Sequence, residues 1–226
     1  EEFDYETTTK QQLKGNIYLA KVTRVEPSLQ AAFVEYGGNR HGFLAFSEIH
    51  PDYYRIPVAD REDLVEDQNG DDDYGAESGG NIEELGGDEG TEEAVQEAAR
   101  RRPRLKRHYK IQEVVKRRQA LLVQVIKEER GTKGAALTTY LSMAGRYCVL
   151  MPNTSRGGGV SRKITNAQDR KRLKSILSEL DLPEGMAVIL RTAGGERSKA
   201  EIRRDFDYIK KLWDDIRTKT LESTAP

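Results

Sequence analysis

From Asn16 to Val25 the side chains alternate in a dense β-branched and aromatic run, which predicts a strand. Ile17, Leu19, Lys21, Thr23 and Val25 share one face, and Tyr18, Ala20, Val22 and Arg24 the other. Glu26-Pro27-Ser28 turns the chain into a second strand, Gln30 to Tyr36. Gly37-Gly38-Asn39 reads as a hairpin turn, because glycine and asparagine reach the positive φ that such turns need. Arg40 to Leu44 is the third strand. Much later, Ile111 to Lys116 reads as a short bridge and Ala120 to Ile126 as a buried strand. Lys127 to Gly134 is a turn, and Ala135 to Leu141 the fifth strand.

After Leu141 the pattern changes to alternating strand and helix. Arg146 to Leu150 is a strand ended by Pro152-Asn153, and Ser155 to Gly159 is a loop. Val160 to Ile164 is a further strand carrying two cations, Arg162 and Lys163. Asn166 caps a helix from Ala167 to Leu180 with an apolar stripe of Leu173, Ile176, Leu177 and Leu180. Pro183-Glu184-Gly185 leads into the strand Ala187 to Leu190. A helix from Ser198 onward places Ile202, Phe206, Ile209, Trp213 and Ile216 on one face. The fold class is therefore mixed: a five-stranded OB-fold barrel, then an α/β segment. Gly131 to Tyr140, basic, glycine-spaced and rich in threonine, joins the two and faces a polyanion on this reading.

Between the third and fourth strands the periodicity disappears. Residues 62 to 97 hold 15 acidic side chains and no Lys or Arg. With so few apolar groups and so much like charge, the stretch from about 60 to 105 reads as a disordered surface insertion, with a short helix at Thr91 to Arg101. It lacks the fixed glycine and terminal glutamate of a calcium loop, so no metal is assigned to it. Arg100 to Arg107 then reverses the sign, as a solvated basic run or as an arm that contacts phosphate. The net charge of −1 thus hides a body with 23 acids and 37 bases. Such a balance is the footprint of a nucleic-acid binder, although a well-charged soluble surface produces it too.

Phe33 and Phe43 lie on strands joined by the hairpin, with Tyr36, Arg40 and His41 nearby. Spacing alone favours core for the two rings. The alternative is a platform on which the bases of single-stranded nucleic acid stack. Arg191-Thr192, followed by Ala193-Gly194-Gly195, has the donors of a phosphate cradle, but a structural arginine at a strand end is the default. The lone Cys148 sits in an apolar run and excludes an intramolecular disulfide, which fits a buried thiol in a reducing compartment. No run of about 18 apolar residues predicts a membrane helix. No signal peptide is visible, and the chain begins at Glu1 without Met, as a piece of a longer protein does.

Several long motifs together carry a resemblance. They are Asn16-Ile17-Tyr18, Arg24 to Val34, Arg40-His41-Gly42-Phe43-Leu44, Lys127 to Thr139, Val149 to Asn153, Leu182 to Met186 and Leu190 to Gly194. In these the chain resembles the ribonuclease E/G endoribonucleases, over nearly all of its length except roughly Pro51 to Arg107, and more like the E than the G branch. Arg117-Arg118 stand where the family more commonly has a Lys/Arg-x-Gly-Gln turn, and the acidic insertion replaces a shorter connection.

The resemblance implies an S-one type OB-fold RNA-binding domain, here residues 15–141, inserted in an RNase H-like subdomain. Residues 1–14 would end the first RNase H-like segment, and 142–226 would form the second. It implies an RNA-binding surface at Phe33, Phe43 and Lys133, a 5′-monophosphate sensor at Gly145, Val149, Arg191 and Thr192, and a basic pair at Arg162 and Lys163. The expected function is RNA binding and 5′-end sensing for a single-strand-specific endoribonuclease of RNA processing and mRNA decay. The rivals are a non-catalytic OB-fold RNA-binding protein, an interaction scaffold using the acidic stretch, and a ribonuclease G-type enzyme. No catalytic and no metal-ligating residue is assigned in this chain. Mg²⁺-binding Asp residues and a structural Zn²⁺ are expected only downstream, so this segment alone is expected to be inactive. The partners implied are single-stranded RNA with a 5′-monophosphate, further copies in a homotetramer and an RNA-degradation complex, but not DNA. The location implied is the cytoplasm, with attachment to the inner face of the membrane through regions outside this chain.

Overall fold

The computed structural model describes residues 13–56, 109–129, 134–154 and 158–226. The expectations for 1–10, for the insertion and its basic return, for Gly131 to Lys133 and for Ser155 to Gly157 lie outside these residues. The described residues fall into two compact units, one of residues up to Leu141 together with Thr218–Pro226, the other of Ser142–Arg217.

In the first unit, β1 (Ile17–Glu26), β2 (Ala31–Glu35), β3 (His41–Ala45), β4 (Ala120–Lys127) and β5 (Ala135–Thr138) close a barrel in the order β1-β2-β3-β5-β4. β1 is long enough to serve two partners. Its first half pairs with β4, from Ile17↔Gln124 to Lys21↔Ala120, and its second half with β2. A bulge between Val22 and Arg24 bends the strand from one partner to the other. The parallel pairing of β3 with β5 completes the ring. The residues that point inward are Ala20, Val22, Ala32, Val34, Leu44, Leu121, Val123, Val125 and Leu137, none more than 2% exposed. The barrel is thus a packed core without a ligand-sized lumen, and function has to sit on its outside. Each large side chain buried there contributes about 1.5–3 kcal/mol. The core face of β1 is the one that carries Ala20 and Val22, while Lys21 lies on the other.

The hairpin turn is as the sequence predicts: Gly37, Gly38 and Asn39 have φ of 107°, 62° and 57°. The bridge after residue 110 is instead one helical turn, α1 (Ile111–Val114), whose Ile111 and Val114 are fully buried. Glu113 supports it by accepting from the Lys110 amide at 2.8 Å. In the turn from Lys116 to Gln119, Arg118 has φ 67°, so it adopts the left-handed geometry that glycine usually supplies. β5 stops at Thr138, three residues earlier than alternation predicts. Thr139 turns away because its amide and its hydroxyl both donate to the Glu48 carbonyl, each at 2.9 Å.

The second unit contains β6 (Met143–Ala144), β7 (Cys148–Met151), β8 (Gly159–Val160) and β9 (Ala187–Leu190), in the sheet order β6-β7-β9-β8. β7 and β9 are buried on both faces, which accounts for their unbroken apolar runs. Asn166 caps α2 (Ala167–Ser178) by accepting from the Gln168 and Asp169 amides at 2.8 and 3.3 Å. In α2 and just beyond it Leu173, Ile176 and Leu180 are buried, and Leu177 only partly. In α3 (Lys199–Glu222) Ile202, Phe206, Ile209 and Trp213 are buried, and Ile216 only partly. The predicted strand Val160 to Ile164 shrinks to Gly159–Val160, because the Ile164 amide donates to the Ser161 carbonyl at 3.2 Å and makes a turn. Among the described residues no helix is long and apolar enough to cross a membrane.

Candidate nucleic-acid interface

The strand registers place one row of outward residues across all five strands of the barrel. Arg24 on β1 pairs with Phe33 on β2, Phe33 with Phe43 on β3, Phe43 with Ala136 on β5, and Ala136 with Lys127 on β4. Cations end the row, two aromatic rings fill its middle, and the small Ala136 follows them. Phe33 and Phe43 are half-buried and sit outside the core, contrary to what spacing favours. The reason is the register: Ala32, Val34, Gly42 and Leu44 occupy the inward positions, so the rings between them must face out. The rings meet edge to face, with centroids 5.9 Å apart at 74°. The Arg24 guanidinium lies 4.7 Å from the Phe33 centroid.

The neighbours proposed from sequence separate. Tyr36 turns into the core, 1% exposed, and its hydroxyl donates to Glu129 Oε1 at 3.3 Å. Burial first, and then the Glu129 carboxylate, push its pKa up to about 12. Arg40 lies over Tyr36 and Tyr18 at 5.4 and 5.5 Å and donates from Nε to the Gly37 carbonyl, so it braces the hairpin. His41 is exposed. Lys133 lies outside the described residues.

In the second unit, Gly145 and Arg191 come together. The Gly145 amide donates to the Cys148 carbonyl at 2.8 Å and closes a tight turn before β7. A side chain at Gly145 has no room: a Cβ there would lie 2.4 Å from Ile209 Cδ1 and 2.6 Å from Asp205 Oδ2. Arg191, only 8% exposed, donates from Nη1 to the Gly145 carbonyl at 2.5 Å and, more weakly, to that of Arg146 at 3.5 Å. Its amide donates to the Tyr147 carbonyl at 2.8 Å. Arg191 is therefore structural as well as a candidate ligand, since anchoring Nη1 sets the plane of its guanidinium. Thr192 follows it on the surface. Val149 is fully buried in β7, so its side chain belongs to the core.

Further cations lie in the same unit. Arg197 lies 5.6 Å from the Tyr147 ring centre. Arg172 holds the segment after Arg191 by donating to the Gly195 carbonyl and, at 2.8 Å, to that of Arg197. Arg162 and Lys163 are exposed in the turn after β8, which the Ser161 amide ties to the Leu190 carbonyl at 2.9 Å. Arg170 clasps that turn from α2, donating to the Ser161 and Ile164 carbonyls at 2.8 and 3.0 Å.

Sequence reading passes over Asp205. Its carboxylate accepts from three consecutive amides, those of Arg146 at 3.0 Å, Tyr147 at 2.7 Å and Cys148 at 3.1 Å, and from the Cys148 thiol at 3.4 Å. A signal was present. Position 205 is three residues after Ile202 and four before Ile209, so a carboxylate interrupts an apolar stripe. Burial, and then Asp205, raise the pKa of Cys148 far above the usual thiol range.

A model of the S1 RNA binding domain matches residues 11–70, and a model described as the ribonuclease E/G family matches residues 142–226. The chain belongs to the ribonuclease E/G family. It is 39% identical to ribonuclease E of Escherichia coli (strain K12), over 100% of this chain and 17% of that protein. Ribonuclease E of Haemophilus influenzae is 38% identical over 100% of this chain and 19% of its own length. Ribonuclease G of Escherichia coli (strain K12) is 32% identical, over 98% of this chain and 36% of that protein. The chain is thus more like ribonuclease E, and it spans less than a fifth of the length of those two ribonuclease E relatives. The closed five-stranded barrel is consistent with an S1-type OB-fold. The S1 match covers the first three strands, since the long acidic insertion separates β4 and β5 from them in sequence. Among the described residues no group of three or more His, Cys, Asp or Glu side chains is placed to hold a metal ion.

Proposed function

We propose that this chain is the RNA-binding and 5′-monophosphate-sensing segment of a ribonuclease E-type endoribonuclease acting on single-stranded RNA. The observation that carries the reading is the row Arg24–Phe33–Phe43–Ala136–Lys127. It offers stacking surface between two cations, and it reads no base edge. That suits a single strand bound without strict sequence preference, through stacking and phosphate contact.

The 5′-end sensor is supported by the convergence of Arg191 on Gly145, with Thr192 at the surface beside it. An arginine fork and a hydroxyl supply the donors that a terminal phosphate takes up, and a 5′-hydroxyl offers no charge to meet them. Phe33, Phe43 and Lys133, with the basic pair Arg162 and Lys163, hold the strand. The barrel, as residues 15–141, is inserted in an RNase H-like subdomain completed by 142–226. Hydrolysis and its metal ions belong to residues outside this chain.

The test is the affinity of the wild-type chain and of Arg191→Gln and Thr192→Ala for one oligoribonucleotide carrying either a 5′-monophosphate or a 5′-hydroxyl. The wild type is expected to prefer the monophosphate and both variants to lose that preference. Equal binding of the two RNAs by the wild type overturns the sensor.

A further inference from the structure

We infer that Asp205 is a positioning residue for the 5′-phosphate pocket. This rests on the sensor reading of Gly145 and Arg191. The carboxylate does not face a ligand; it faces backbone. Three consecutive amides, 146 to 148, point at its two oxygens from 2.7 to 3.1 Å. Successive N–H groups converging in this way form a concavity that attracts anions. Here the anion is supplied from α3 by the protein itself, so the concavity is occupied and a substrate phosphate is directed elsewhere.

The consequence for the pocket follows from connectivity. Fixing the amides of Arg146 and Tyr147 fixes the peptide planes that carry the carbonyls of Gly145 and Arg146. Those two carbonyls are the acceptors of Arg191 Nη1, at 2.5 and 3.5 Å. The same turn presents the Tyr147 carbonyl, which accepts the Arg191 amide at 2.8 Å. Asp205 thus acts on the guanidinium through one layer of backbone. Gly145 belongs to the same device, because only a residue without Cβ lets α3 bring Asp205 and Ile209 this close. Hydrogen bonds to a charged acceptor are the stronger kind, and three of them on one carboxylate leave the turn little freedom.

The experiment uses Asp205→Asn, which keeps the shape and one acceptor oxygen but turns a donor amide toward the N–H groups, and Asp205→Ala. Each full chain is titrated with the 5′-monophosphate and the 5′-hydroxyl form of one oligoribonucleotide, beside the wild type and Arg191→Gln. In Asp205→Asn the affinity for the monophosphate RNA is expected to fall about tenfold, and that for the hydroxyl RNA to stay unchanged. Asp205→Ala is expected to match Arg191→Gln. A preference kept in both variants overturns the inference. So does an equal loss for both RNAs, or loss of the fold in both, since Asp205 is then a general structural residue. A wild type without any preference overturns the sensor itself, which separates the two failures.

Discussion

The guanidinium of Arg24 lies 4.7 Å from the centre of the Phe33 ring, and Phe33 pairs across the hairpin with Phe43. A cation over one ring, with a second ring edge-on to it, keeps both side chains on the outer wall of the barrel. Base stacking on such rings contributes roughly 1–3 kcal/mol per base. Phe33→Ala and Phe43→Ala are each expected to weaken binding of single-stranded RNA by that amount, measured by fluorescence anisotropy. The thermal midpoint should move little, since neither ring is part of the buried core. Unchanged RNA affinity in both variants would show that the rings are structural only.

Arg24 and Lys127 end the same row, and their contribution should be largely ionic. Arg24→Ala and Lys127→Ala are expected to lower RNA affinity most at low salt. The slope of log K against log[salt] should fall by about 0.7 for each phosphate of a single strand that the variant no longer neutralises. Titrations at three salt concentrations measure it. A slope identical to the wild type's in both variants would remove these cations from the interface.

Gly134 precedes β5, where that strand joins β3. A Cβ at Gly134 would lie 2.6 Å from the His41 carbonyl oxygen, a backbone atom that cannot swing aside. Gly134→Ala is expected to lower stability by about 1–3 kcal/mol, read as a lower urea midpoint. A midpoint equal to the wild type's would mean that the closing seam of the barrel tolerates more slack than this close approach allows.

Arg118 occupies the left-handed region at φ 67°. A non-glycine residue there costs roughly 1–2 kcal/mol, and glycine loses about 0.5–1 kcal/mol through its greater freedom when unfolded. Arg118→Gly is therefore expected to stabilise the protein by up to about 1 kcal/mol, seen as a higher thermal midpoint. A lower midpoint would indicate that the arginine side chain contributes more than its backbone costs.

Cys148 stays protonated in the folded protein well above pH 9, whereas an unfolded thiol loses its proton near 9.0. Above that pH the unfolded state binds fewer protons, so stability falls as pH rises. Tyr36, Tyr53 and Tyr54, each raised from 10.0 chiefly by burial, add the same sign as the pH approaches and passes 10. Between pH 9 and 10 the wild type is expected to lose stability more steeply than Cys148→Ala, by a difference in slope approaching about 1.4 kcal/mol per pH unit, the variant keeping only the tyrosine contribution. Denaturant titrations at pH 8, 9 and 10 decide it, and parallel curves for the two proteins would place Cys148 in a wetter site than the structure does.

Local signals in the chain were enough to specify the five barrel strands and the two long helices. Alternation, the Gly37-Gly38-Asn39 turn and the Asn166 cap each act within a few residues. The family was legible too, because long motifs survive on both sides of the acidic insertion. Where elements end was settled by tertiary packing. β5 stops at Thr138 because Thr139 binds the Glu48 carbonyl, 91 residues away in the chain.

The candidate site was legible in part. Phe33, Phe43, Gly145 and Arg191 could be named, but not what they face. Only the cross-strand register puts Arg24 beside Phe33, and only the packing of α3 puts Asp205 under the amides of 146 to 148. The partners in these two meetings stand 9 and about 60 positions apart, and no periodicity encodes either meeting. Each arises when two elements are brought together by burial of their apolar faces, and a polar side chain at the edge of that packing then takes the backbone groups left to it.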